Sequence, residues 1–500
     1  MGCEPDPWAR KWLEERRAAG ETGLTVEKRG GVHYVRWATT EWDPALKKRR
    51  KVSEYRGVLG PDGTLRPPER RRARADVSDV KDSGSARLLA HVSGRIIRAL
   101  TEAFPDDFPE IAELAFARCL GRGALSKAGR CWKRLEDVLG LRPATSPAGL
   151  SRTLERVGSS RERQDMFFRR LCGDEGEMAV DMSVIFSRAR GASMCKRGYN
   201  RFSLTCPQFN LLLACGLRTG RPAYMRVVPG NVKEGGAVSM LDEFCIPEGT
   251  VLVMDRGYWN RGFLDAVRGR GLDYAVPVRR NSRLYGLGFG PAGGFAWQGS
   301  AVVCGRAALG DGLWAYRFDN MAGRNAEAAD SLAAGKGLPD MSRAGSMVIE
   351  STLDAEPEEI YRMFKARCSV ENCFDTAKND LDADRMYMRD DRHVCGFLFV
   401  TFVAMAVRFE ISALTDAAGI SSRYSPEDVL DVYASMKSFP GSPGLRQEVP
   451  ADLRDLDARL GLFMYSTQED RDRALGVKRR RGRRPKADLD SKRRSYTPML

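Results

Sequence analysis

The hydrophobic pattern of the chain changes period near residue 176, and that change constrains the fold more than any other feature. Before it, stretches such as ARLLAHVSGRIIRALTEAF and CWKRLEDVLG repeat apolar residues every three or four positions, the period of a helix. SPAGLSRTLERV opens with a serine followed by proline, a helix start. After it, EMAVDMSVIFS (177–187) and FNLLLACGLRTGRPAYMRVVPGN (209–231) predict three strands, the last two joined at RTGRP. KEGGAVSMLDEF predicts a helix, VLVM (251–254) a short buried strand, NRGFLDAVRGRG a helix and DYAVPV a strand. A meander followed by strand–helix–strand units predicts a mixed α/β sheet.

The flanks divide by composition. Residues 1–75 contain GVHYVRWATTEW, then KKRRK and the turn GPDGT, which together predict a small basic β-containing module. PPERRRARADVSD (67–79) is a charged boundary, and 76–175 predicts a helical DNA-binding region. The α/β core then runs over 176–280 and 346–415. It is interrupted at 281–345 by a Gly- and Ala-rich stretch with short aromatic strands (FAWQGSAVVCG, LWAYRF), which predicts a β-rich insertion. SMVIEST predicts a further strand, and PEEIYRMFKARCSVENCFDTAKNDL one long helix. Residues 416–500 predict a helical region ending in the basic tail GVKRRRGRRPKADLDSKRRS. Such tails contact nucleic acid through phosphates, and its RGRRP resembles a minor-groove hook with one arginine too many.

Charge narrows the class of partner. The 500 residues hold 81 Lys and Arg against 66 acids, a net +15, which favours a polyanion and most economically nucleic acid. The N-terminus is charged and has no apolar signal region, and position 6 is Asp where a myristoylation motif needs Ser or Thr. The longest apolar run, FLFVTFVAMAV (397–407), is too short to span a bilayer and predicts a buried core helix. A cytoplasmic protein without membrane contact is therefore expected. Twelve cysteines without a C-x2-C pair and only three histidines argue against a structural zinc site, a disulfide framework or a histidine-based triad. Carboxylates remain as the instruments of any chemistry.

Three carboxylates are placed to meet. Asp181 sits within the strand MAVDMSVIF, and Asp255 follows VLVM, where a parallel sheet exposes its ligand crevice. Along the long helix Phe364, Arg367, Glu371, Phe374 and Lys378 recur at spacings that place them within about 80° of each other on one face. Each acid by itself also suits a structural role: a hydrogen-bonded strand residue, a turn former, an ion-pair helix. Together they form an oxygen donor set suited to Mg2+, with Mn2+ as substitute. Two such ions about 4 Å apart can drive phosphoryl transfer.

These motifs resemble the DDE transposases of bacterial insertion sequences, in the group related to insertion sequence four. That group's second motif is a strand ending in D-R/S-G, here Asp255-Arg256-Gly257. Its third is Y-x2-R-x3-E-x6-K, here Phe364, Arg367, Glu371 and Lys378 with Phe in place of Tyr. RGYNRFSLTCPQFNLLLACGLRTGRPAYMRVVPGN and RMYMRDDRHVCGFLFVTFVAMAV extend the resemblance over roughly 177–410. It implies a ribonuclease-H-like core with a β insertion and Asp181, Asp255 and Glu371 as catalytic and metal-binding residues. It further implies Arg256, Arg367 and Lys378 as phosphate contacts, terminal inverted repeats and target DNA as partners, and a dimer on DNA. A non-transposing nuclease on the same fold, or a domesticated DNA-binding protein, is the alternative.

Overall fold

Two glycines close the first hairpin. Gly30 and Gly31 have φ of 55° and 81°, the doubly positive pair that lets a two-residue loop match the twist of its strands. They join β1 (Leu24–Arg29) to β2 (Val32–Asp43), with Arg29 opposite Val32. β3 (Lys48–Leu59) and β4 (Leu65–Arg66) complete an antiparallel sheet in the order β1-β2-β3-β4, preceded by α1 (Pro7–Ala18), which has proline in its first turn. Ala9 and Trp12 of α1 pack on Leu24, Val26, Val35 and Leu59. The computed structural model of the chain describes residues 4–43, 48–67, 80–121, 125–173, 175–187, 189, 191–200, 206–232, 246–290, 293–381, 383, 388–439 and 447–477. The boundary stretch 68–79, the helix expected at 233–244 and the basic tail from 478 lie outside the described residues. The module belongs to one compact unit (Met1–Asp79, Phe439–Arg446); the rest forms a second (Val80–Ser438, Gln447–Leu500).

The second unit opens with β5 (Lys81–Asp82) and six helices: α2 (Ser83–Val92), α3 (Gly94–Ala103), α4 (Phe108–Cys119), α5 (Ala128–Arg134), α6 (Pro147–Ser159) and α7 (Arg161–Cys172). The expected cap of α6 is present: Ser146 accepts the Gly149 N–H. The sheet follows with β6 (Glu177–Phe186), β7 (Lys196–Arg197), β8 (Pro207–Gly216), β9 (Pro222–Pro229), β10 (Val251–Met254), then α8 (Arg261–Gly269) and β11 (Asp273–Pro277). β12 (Gly293–Trp297), β13 (Ser300–Gly310), β14 (Leu313–Asn320), α9 (Met321–Ala333) and β15 (Ser346–Ser351) come next. The C-terminal part holds α10 (Pro357–Ala366), α11 (Cys368–Asp375), α12 (Asp391–Ala417), α13 (Pro426–Ala434), β16 (Lys437–Ser438), α14 (Ala451–Leu460) and α15 (Gln468–Ala474).

Ten strands form one mixed sheet in the order β12-β13-β14-β15-β11-β10-β6-β8-β7, with β9 paired to β8. β10 runs parallel to β6 and β11, while β6–β8, β8–β9 and β11–β15 are antiparallel. The strands of 281–345 are thus continuous with the central sheet: β14 pairs along β15, which pairs with β11. Hydrophobic pattern reports which strands exist but not whether an insertion's edge strand joins the parent sheet.

Helix α12 lies at the centre of the unit. The eleven-residue apolar run extends to a 27-residue helix, long and apolar enough to cross a membrane by those criteria alone, but 83% of its most apolar window is buried inside the protein. Phe399 meets Phe104 and Phe167 at ring separations of 5.2 and 5.1 Å, and Phe402 meets Phe168 at 4.9 Å. The helices of 80–173 therefore share a core with the helix that follows the third acid. The α6–α12 crossing depends on glycine: a Cβ on Gly158 would strike the Arg392 carbonyl, and one on Gly396 the Leu154 carbonyl. No disulfide joins the described cysteines.

Candidate active site

Asp181 sits on β6 between antiparallel β8, where it is in register with Leu213, and parallel β10. Met254, the last residue of β10, pairs with Val180. Asp255 therefore leaves its strand beside Asp181, one interstrand spacing of about 5 Å away. Asp255 begins the single 3-10 turn Arg256–Tyr258 and its side chain makes no capping bond, so the carboxylate is not consumed by the local backbone. Arg256 is exposed and makes no ion pair among the described residues.

The turn is anchored from behind by a carboxylate that sequence reasoning passed over. Glu350 on β15 is fully buried and accepts from Trp259 Nε1 at 3.0 Å, Tyr274 OH at 2.8 Å and Arg261 Nη1 at 3.3 Å. Its signal was a lone acid in the apolar strand SMVIEST. The tyrosine and tryptophan that complete the arrangement lie far away in sequence, so nothing local tied them to it.

The expected long helix is broken. α10 ends at Ala366, Arg367 turns with φ −55° and ψ −24°, α11 begins at Cys368, and Thr376–Asp380 is a π-helical turn. A π turn carries an extra residue and shifts the helical phase by about 100°. Of the five residues expected on one face, only Lys378 lies in the π turn and is re-aimed by it; within α11 itself Phe374 is buried while the Glu371 side chain is 63% exposed. Arg367 and Lys378 instead converge on β6. Arg367 Nη1 donates to Asp181 Oδ2 at 3.1 Å, and its Nη2 reaches Glu371 Oε1 at 3.5 Å. Lys378 Nζ donates to Ser183 Oγ at 2.6 Å. Ser183 was also missed, although it lies two residues from Asp181 and so on the same face of the strand. The Arg367 guanidinium stands 5.6 Å from the Phe364 ring centre, so the aromatic position packs against the arginine even without the tyrosine hydroxyl.

Electrostatics tie the three acids together. Burial pushes the Asp181 carboxyl above its ordinary value, while the Met182 N–H and Arg367 pull it down; the charges of Asp255 and Glu371 push it up again. Among the described residues no group of three His, Cys, Asp or Glu side chains is gathered as a ready-made metal cage. The Arg367 guanidinium stands between two of the acids. The donors are carboxylate oxygens, a set that fits a hard divalent cation.

Residues 185–407 match the family described as "Transposase DDE domain". The match supports a DDE transposase. The matched segment includes Asp255, Arg256, Arg367, Glu371 and Lys378 but begins beyond Asp181 on the same strand. No curated protein matches the chain. Among solved structures, the chain is similar to one titled "Cryo-EM structure of piggyBac transposase synaptic complex with hairpin DNA (SNHP)". The identity is 11%, the TM-score 0.32, and the overlap covers 83% of this chain and 84% of the other.

Proposed function

We propose that the protein is the transposase of a bacterial insertion sequence, acting in the cytoplasm on the ends of its own element and on target DNA. The reading is carried by one observation: a single guanidinium, Arg367, joins Asp181 to Glu371 across 186 and 4 residues of sequence respectively. A merely structural ion pair would not need a neighbouring aspartate, Asp255, left without a hydrogen-bonded partner among the described residues. Asp181, Asp255 and Glu371 are the residues that would hold Mg2+ or Mn2+, two ions in the full reaction, on a ribonuclease-H-like core. So held, the metal would lower the pKa of the attacking water and balance charge on the leaving oxygen.

The chain's own residues prepare that site. Arg367 compensates the acids in the free protein, and a phosphate entering between the strands offers it a second anionic partner. Lys378, exposed Arg256 and Arg367 then position the scissile phosphate without reading sequence. End recognition is assigned to residues 1–175, and two ends require a dimer on DNA.

The test uses the purified full chain with linear DNA carrying the inverted repeats that flank its gene. Mg2+-dependent nicking at the repeat border, followed by joining of the freed 3′ end to a second duplex, is the expected result. Cleavage without joining would leave a nuclease on the same fold, and no metal-dependent cleavage would refute the reading.

A further inference from the structure

The β2–β3 hairpin extends beyond its own sheet. β1 pairs with β2 only as far as Trp37, and β4 pairs with β3 only at Val58 and Leu59. Beyond the Ala38 N–H, which donates to the Gly23 carbonyl, residues 39–43 and 48–52 form a two-stranded ribbon paired with itself. Its register sorts charge between the two faces. Directly opposed residues of an antiparallel pair share a face; in the backbone register Lys48 is opposite Asp43 and Arg50 opposite Glu41, so bases and acids are equal in number along that register. The other face pairs Trp42 with Arg49, Thr40 with Lys51 and Arg36 with Tyr55, and carries no acid. On β2 this face is opposite Val35, which packs under α1, so the module's helix leaves it uncovered. Arg36, Arg49 and Lys51 are exposed and make no ion pair among the described residues, and Trp42 is 62% exposed.

We propose that this acid-free face of the β2–β3 ribbon is a docking surface for duplex DNA, an inference that rests on the transposase reading. Arg49 and Lys51 on β3 and Arg36 on β2, none ion-paired among the described residues, share one face and can meet the negative charges of a phosphate backbone, and a two-stranded ribbon is one of the shapes a major groove admits. Trp42 adds an exposed ring at the distal end, suited to a sugar or base edge. The opposite face has the same ribbon shape but no net positive charge, and it provides the control.

Binding of the full chain to a fluorescent mixed-sequence duplex is measured against salt for the wild type, R49E/K51E and K48E/R50E. The two variants carry the same charge change on opposite faces. R49E/K51E is expected to bind about tenfold or more weakly and to lower the magnitude of the log–log salt slope by about 2. K48E/R50E is expected to change both far less. R49Q/K51Q repeats the comparison with a milder change, against K48Q/R50Q, should a charge-reversed variant fail to fold. Equal weakening on both faces, or none on either, overturns the ribbon assignment while wild-type DNA binding leaves the transposase reading standing. A wild-type chain that does not bind the duplex overturns both.

Discussion

Arg367 holds Asp181 at 3.1 Å and Glu371 at 3.5 Å with two nitrogens of one guanidinium, so the mid-sheet strand β6 and the helix α11 are joined at a single charge. Asp255 stands beside that pair with no side-chain partner of its own in the turn it begins. The arrangement binds two acids through a cation that a phosphate can compete for, and it leaves the third acid available.

If these acids hold the metal, Asp181→Asn, Asp255→Asn and Glu371→Gln should each reduce Mg2+-dependent strand cleavage by at least about a hundredfold. Duplex binding by the same variants should stay near the wild-type level. Gel-based cleavage and anisotropy on one preparation check both; near-normal cleavage by any of the three removes that residue from the site.

Asp181 also predicts a pH dependence of stability. Its folded-state carboxyl is raised, chiefly by burial. As pH climbs from the unfolded-state value near 3.9, the unfolded chain ionises first and native stability falls until the folded pKa is passed. Asp181→Asn lacks that loss, so its stability relative to wild type should improve between about pH 4 and neutrality. Urea midpoints at both ends of this range decide it; a constant difference would mean that Asp181 titrates as it does in the unfolded chain.

Glu350→Ala should destabilise the fold by on the order of 3 kcal/mol, because it strands the Tyr274 hydroxyl and Trp259 indole that now donate to it. Cleavage should fall further than the folded fraction does, since the turn that begins at Asp255 loses its anchor. Thermal melts and specific activity per folded molecule separate the two effects.

Gly396→Ala should cost about 1–3 kcal/mol by driving a methyl group into the Leu154 carbonyl at the α6–α12 crossing. The same substitution at Gly94, where a Cβ meets nothing within 4 Å, should be tolerated. Denaturant unfolding of the two variants makes the comparison.

Removal of the chain after Leu475 should weaken binding to all duplexes alike and flatten the salt dependence, because the dense Lys and Arg of Lys478–Arg494 lack apolar neighbours to fix their geometry. Competition between end DNA and random DNA is the measurement. Loss of discrimination with bulk affinity intact would show that the tail reads sequence.

The strands around Asp181 and Asp255, the capped start of α6 and the burial of FLFVTFVAMAV were legible in the sequence, because period, turn residues and caps act within a few residues of chain. Asp181 and Asp255 were picked out as candidates on a local signal, a carboxylate in or just after an apolar strand, and Glu371 on helical spacing. What the tertiary structure alone decided is where those side chains turn. The π turn at Thr376–Asp380 re-aims Lys378 onto β6, and packing brings Arg367 to Asp181 while Glu371 stays outward, contacts that a helical wheel does not contain. The same holds for Glu350, for the joining of β12–β14 to the central sheet and for the glycine crossing of α6 with α12. Each depends on contacts between residues distant in the chain, whose register and approach are set by packing rather than by local preference.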